Sequence, residues 1–146
     1  MEMEVVDHRG HYGNLDMFHP RKVLESGTDS CYFSGSGPSN EDWIIFKLKT
    51  ERPVIATRIG IRNHEYGCAL KRISIEGSFD GKEFEEWIEI DGIKKGKDEL
   101  QSFDVDLAAS HYAVEKEWRF YRLRIMENYG SKENEFYEFL IFGIDG

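Results

Sequence analysis

The chain has 146 residues, 40% of them hydrophobic and 14% aromatic, and its 28 acidic against 19 basic side chains give a formal net charge of −9. That is enough chain for a single domain with its own core, without metal or disulfide staples, and the profile is not that of a disordered segment. The acidic balance and scattered bases exclude nucleic acid as a first partner, because phosphate binding needs a basic footprint, and no apolar run reaches the roughly 18 residues of a membrane span.

The N-terminus, Met1-Glu2-Met3-Glu4, lacks the apolar stretch of a secretory signal, and residues 3 to 8 are predicted to form a first strand. Phe18 to Glu25 reads as one short helical turn with Pro20 suited to its start. Residues 26 to 41, rich in Gly, Ser and Asn, form a long loop. Within it, Ser34-Gly35-Ser36-Gly37 lacks the strand-turn-helix frame of a nucleophile elbow. In Trp43 to Leu48 the alternation places Ile44, Phe46 and Leu48 on one face, with Ile45, Lys47 and Lys49 opposite. Ile55, Ile59 and Ile61 repeat the pattern with Arg58 and Arg62 outward. Ile73 and Ile75 lead into Ser78-Phe79-Asp80-Gly81, a predicted two-residue hairpin turn, and then into Phe84, Ile88 and Ile90.

Asp91 to Asp98 is a polar connection whose three lysines read as a solvated turn. Residues 105 to 117 are compatible with a helical turn or with a loop carrying a short strand. In the strand from Trp118 to Ile125, Tyr121, Leu123 and Ile125 face the core, while Arg122 and Arg124 face out and should be nearly neutral to remove. Tyr137 to Gly143 closes the chain. Short strands separated by glycine-containing turns imply an all-β fold, an antiparallel β-sandwich of about eight core strands with helix limited to short turns. No internal repeat or second domain interrupts residues 1–146.

The order of four pieces carries a resemblance: a tryptophan-led strand at Trp43, the Ser78-Phe79-Asp80-Gly81 hairpin, the strand Trp118-Arg119-Phe120-Tyr121-Arg122-Leu123, and a last strand with Glu138 ahead of Gly143. Over roughly residues 20 to 143 the chain resembles the discoidin family, also called the coagulation-factor type C or galactose-binding-like β-sandwich. The resemblance implies a discoidin-like jelly roll whose loops at one end do the recognition. Three segments are candidates for that end: Thr28 to Asn40, Arg62 to Leu70, and Asn128 to Glu135. Tyr32, Phe33, His64, Tyr66 and Tyr129 supply the rings that the apolar face of a sugar or a protein surface would need, with polar groups beside them.

The resemblance also implies a sugar-binding set of histidine, arginine and asparagine, and Arg62-Asn63-His64 with Asn128-Tyr129-Gly130 occupy similar places. Here the arginine and histidine are continuous, whereas the family tends to put them on different loops. Asn128-Tyr129-Gly130 is equally what a plain turn looks like. Sugar-binding members often hold a structural Ca²⁺, for which Glu138 would be a ligand. The loop Ser26 to Phe33 lacks the aspartate, threonine and tryptophan of the family pattern, and Ca²⁺ needs about six to eight oxygens. Calcium is therefore disfavoured, no cofactor is expected, and Glu138 could instead pair with a backbone amide or a basic residue.

The two cysteines, Cys31 and Cys68, read as two thiols more readily than as a bridge. They could not form the end-to-end disulfide of extracellular discoidin domains. Neither lies in a Cys-x-x-Cys or Cys/His ligand spacing, so zinc is not expected. Glu85 and Glu86 point to opposite faces, Asp104 and Asp106 imply no cleft, and none of His8, His11, His19, His64 and His111 has a sequence partner that marks a base. The expected function is a non-catalytic recognition module for a protein or peptide partner. The absent end-to-end disulfide, the lost calcium loop and the missing signal favour the cytoplasm or nucleus, with an extracellular place left open, as is the oligomeric state. The alternative is a lectin-like module for galactose-type glycans.

Overall fold

The computed structural model describes residues 2–9, 19–25, 32–33, 41–52, 54–105 and 117–145. Among these, the strands are β1 (Met3–Arg9), β2 (Tyr32–Phe33), β3 (Trp43–Leu48), β4 (Val54–Asn63), β5 (Leu70–Ser78), β6 (Glu85–Asp91), β7 (Gln101–Asp104), β8 (Phe120–Asn128) and β9 (Glu135–Asp145). A 3-10 turn spans Pro20–Leu24, where His19 Nδ1 accepts the Arg21 amide at 3.0 Å as an N-cap. Pro20 opens the turn because it has no N–H to leave unpaired there.

The strands form two antiparallel sheets, a five-stranded one in the order β1-β3-β8-β5-β6 and a four-stranded one in the order β2-β9-β4-β7. Their inner faces meet over Ile44, Phe46, Ile59, Ile61, Ile73, Ile75, Tyr121, Leu123, Ile125, Phe139 and Ile141, all essentially without solvent exposure. Phe46 stacks on Phe139 across the two sheets, with ring centroids 4.9 Å apart. The all-β sandwich and the inward phases of β3, β5 and β8 are as the alternation implies. Ile45 is buried as well, although alternation turns it to the opposite face from Ile44 and Phe46.

Two local expectations are corrected. In β4 the pairing with β9 shifts register between Ala56 and Arg58, so one extra residue flips the strand's phase. Val54 and Ala56 are therefore buried ahead of Ile59 and Ile61, and Ile55 is only half-buried. The connection after β5 is not a two-residue turn but spans 79–84. In it Asp80 Oδ1 accepts the amides of Lys82 (2.8 Å) and Glu83 (3.0 Å) and the Ser78 hydroxyl (3.0 Å). Those bonds, the Lys82 amide first, hold the Asp80 carboxyl below its ordinary value. Gly81 still supplies the expected left-handed residue, at φ 80°.

Arg122 is a third correction. It faces outward, but Glu76 lies directly across from it on β5. Arg122 Nε and Nη2 donate to the two Glu76 oxygens at 2.9 and 2.8 Å, Arg124 Nε adds a third bond at 2.5 Å, and the Arg122 guanidinium lies 4.4 Å from the Phe84 ring centroid. Glu76 is buried beneath this bridge. Burial alone would push its carboxyl up, and the hydrogen bonds and charge of the two arginines more than offset it, leaving the group below its ordinary value.

Arg122→Ala should thus cost about 1–3 kcal/mol, because it strips a buried carboxylate of two bonds, and Glu76→Gln should cost a similar amount. A loss below about 0.5 kcal/mol in urea melts would restore the solvated-arginine expectation. Because the folded carboxyl titrates low, its contribution is fully present above the unfolded value of about 4.3 and disappears as pH falls through the lower folded value. The Glu76→Gln penalty should therefore shrink in acid.

Candidate functional site at the loop end

The C-terminal ends of β4, β6 and β8 and the N-terminal ends of β5, β7 and β9 lie at one end of the sandwich, where residues 64–69, 92–100 and 129–134 connect them. Asn63, fully buried, holds the first of these loops shut. Its Oδ1 accepts the amides of His64 and Leu70, both at 2.9 Å, and its Nδ2 donates to the carbonyls of Leu70 (2.8 Å) and Lys94 (3.0 Å). The connection that includes the Asp91 to Asp98 segment, expected to be a solvated turn, is tied into the same end. The Gly96 amide donates to His64 O at 2.8 Å, Arg62 donates to Lys97 O at 3.4 Å, and the Tyr129 hydroxyl donates to Ile93 O.

Asn128 shapes the 129–134 loop. Its Oδ1 accepts the amides of Gly130 and Ser131, and its Nδ2 lies within bonding distance of Ser131 O, Glu133 O and Asn134 Oδ1. Gly130 sits at φ 109°, the left-handed region that the turn reading of Asn128-Tyr129-Gly130 anticipates. Both asparagine side chains therefore satisfy loop backbone, which for Asn128 is the turn reading rather than the sugar-binding one.

The aromatic expectations divide. Tyr32 is fully buried, edge-on to Phe136 at 5.8 Å, and so offers no surface, a correction that follows from β2 pairing with the buried part of β9. The backbone of Phe33 pairs with Glu135, and its side chain, like most of the Thr28 to Asn40 segment, lies outside the described residues. Cys31 and Asp29 lie there too. Tyr66 is 69% exposed, with its ring 5.5 Å from that of His64. Tyr129 is half-buried, with Lys95 Nζ 5.1 Å from its ring centroid and Lys71 Nζ at 6.0 Å.

Arg62 and Glu138 are neighbours across the β4–β9 ladder and form a largely buried ion pair, while the Arg62 guanidinium lies 4.8 Å from the Tyr137 ring centroid. Glu138 is therefore engaged by a basic residue, the pairing given above as the alternative to a calcium ligand. The pairing also occupies Arg62, which the sugar-binding pattern would have aimed at a hydroxyl.

The arrangement that sequence spacing missed is a cluster of His64, Cys68 and Glu135. Cys68 Sγ lies 3.3 Å from His64 Nδ1 and 3.4 Å from Glu135 Oε2, and His64 Nε2 lies 3.3 Å from Glu135 Oε1. Tyr137 stacks on the His64 ring, at 5.4 Å and 15°. Burial first, and then the adjacent Glu135 carboxylate, push the Cys68 thiol up to about 12. The only sequence trace of this cluster is the four-residue step from His64 to Cys68 between two strands. Glu135 is brought in by the β8–β9 loop.

No family model matches the chain, and no curated protein matches it. Solved structures do. A CBM32 module, CBM32-1, from a family 31 glycoside hydrolase of Clostridium perfringens superposes with a TM-score of 0.73 at 16% identity, covering 97% of this chain and 94% of that one. The F5/8 type C domain of a Bacteroides fragilis protein gives 0.72 at 14% identity, covering 95% of this chain and 89% of that one. The CBM32 of AlyQ, in complex with 4,5-unsaturated mannuronic acid, gives 0.63 at 15% identity, covering 97% and 93%. The chain thus has the fold of a discoidin-like, galactose-binding-like β-sandwich domain.

Proposed function

We propose that this domain is a non-catalytic glycan-recognition module that binds through its loop end. The observation that carries the reading is Tyr66, a large ring 69% exposed at the end where the loops gather. It stands on a fold shared along nearly its whole length with carbohydrate-binding modules. An exposed ring offers the apolar face of a pyranose a stacking platform. Hydroxyl partners come from Glu65 and Lys97, which pair at 3.6 Å, and from Lys95 above Tyr129, rather than from Asn63 and Asn128. Lys94, Lys95 and Lys97 offer cations to a ligand carboxylate at this end, so a uronic acid belongs among the test ligands beside galactose and N-acetylgalactosamine.

A protein or peptide partner, the expectation from sequence, draws less support, since the aromatic patch it needed loses Tyr32 to the core. The test is an amide-shift titration by NMR with the three sugars. Saturating shifts at residues 64–67, 94–97 and 129–131 are expected, and Tyr66→Ala should weaken binding about fivefold or more, a loss of about 1 kcal/mol. An absence of shifts at high sugar concentration would overturn the glycan reading.

A further inference from the structure

His64, Cys68 and Glu135 each present one ligand atom within 4.8 Å of the others. Neutral imidazole, thiolate and carboxylate together are a donor set that suits Zn²⁺, and one thiolate and one carboxylate would balance the ion's charge. Around a tetrahedral zinc, bond lengths of about 2.0–2.3 Å place N, S and O ligands about 3.3–3.6 Å from one another. Two of the three separations, 3.3 Å from Sγ to Nδ1 and 3.4 Å from Sγ to Oε2, sit at that spacing, and all three ligand atoms lie within 4.8 Å, so the third closes by a small shift of the Glu135 side chain.

The ligand-bearing segments are also braced. Asn63 clamps both ends of the 64–69 loop, the Glu135 amide donates to Cys68 O at 2.9 Å, and Tyr137 fixes the plane of the His64 ring. Support of this kind is what holds metal ligands in place.

We propose that His64, Cys68 and Glu135 form a mononuclear site for zinc-class divalent ions, with three protein ligands and a fourth position open to water. His64 Nδ1 is the ligating nitrogen, and its bond from the Tyr66 amide at 3.3 Å gives way when the ion binds. On binding, the Cys68 S–H bond breaks and its proton passes to solvent, the sulfur keeping the electron pair that it donates to the metal. The loops therefore close around a bond stronger than the hydrogen bonds it replaces.

The experiment titrates the metal-free full chain with Co²⁺ and Zn²⁺. A thiolate-to-cobalt charge-transfer band in the near ultraviolet, tetrahedral d–d bands in the visible, displacement of both by Zn²⁺, and a rise in melting temperature with Zn²⁺ are expected. Cys68→Ser should abolish the charge-transfer band and Cys31→Ser should keep it. Glu135→Gln, which retains a partner for the thiol, should weaken Zn²⁺ binding roughly tenfold or more, and it serves as the deciding variant if Cys68→Ser does not fold. No band and no Zn²⁺-dependent stabilisation would overturn the site, as would a band that follows Cys31 instead of Cys68 or binding unchanged in Glu135→Gln. The cluster would then be a hydrogen-bonded clasp between two loops.

Discussion

Leu123→Ala, Ile73→Ala and Ile59→Ala should each destabilise the fold by about 2–5 kcal/mol in urea melts. All three side chains are fully buried between the sheets, and Ile73 and Leu123 sit on adjacent interior strands of the five-stranded sheet. Each truncation removes buried apolar surface and leaves a cavity that a ladder-bonded backbone cannot close. Ile55→Ala is the internal control. The register shift after Ala56 turns Ile55 away from the core, so its loss should cost no more than about 1 kcal/mol. If Ile55→Ala proved as costly as Ile59→Ala, the bulge would be misplaced and β4 would run in one unbroken phase.

That contrast marks how far the fold is legible in the sequence. Strict alternation reads the faces of β3, β5 and β8 because every second residue of a regular strand points the same way. It fails at β4, where one extra residue reverses the phase and nothing in Val54 to Arg58 announces it. It also fails at Arg122. Alternation says that the side chain points outward, which it does, but not that Glu76 waits on the neighbouring strand to bury a carboxylate under it. Strand order, not periodicity, decides such pairs. The Asp80-Gly81 signal located the turn correctly and misjudged its length, since Asp80 caps a longer loop with its own side chain.

The loop end was legible as a place more than as a mechanism. Arg62, Asn63, His64, Tyr66, Asn128 and Tyr129 do converge there, but polar residues in a tight loop first satisfy the backbone around them. Asn63 and Asn128 do so, and Arg62 is taken up by Glu138. What remains exposed is Tyr66, and what remains clustered is His64 with Cys68 and Glu135. The last could not be read from spacing, because its third member lies 67 residues from Cys68 along the chain and joins through tertiary structure.

Gly77→Ala should be among the most damaging single substitutions in the chain, costing about 3 kcal/mol or preventing folding. Gly77 lies near the end of β5, paired with Tyr121 of β8 and Glu85 of β6. A Cβ built there would fall 2.2 Å from the indole ring of Trp118, less than any real contact allows. Trp118 has little room to yield, since it is 1% exposed and tilts against Phe79 at 4.8 Å. The backbone has little more, because the next residue, Ser78, accepts the Arg119 amide at 2.9 Å and so ties β5 to the start of β8. Overpacking usually costs about 1–3 kcal/mol, and a clash with a large ring held on both sides belongs at the top of that range or above it. The steric origin has its own check. Trp118→Ala alone should cost about 3–5 kcal/mol, but in that background Gly77→Ala should add little, a coupling that a double-mutant cycle reads directly. If alanine at 77 were equally harmful with and without the indole, the glycine would serve the backbone of β5 and not the space beneath Trp118.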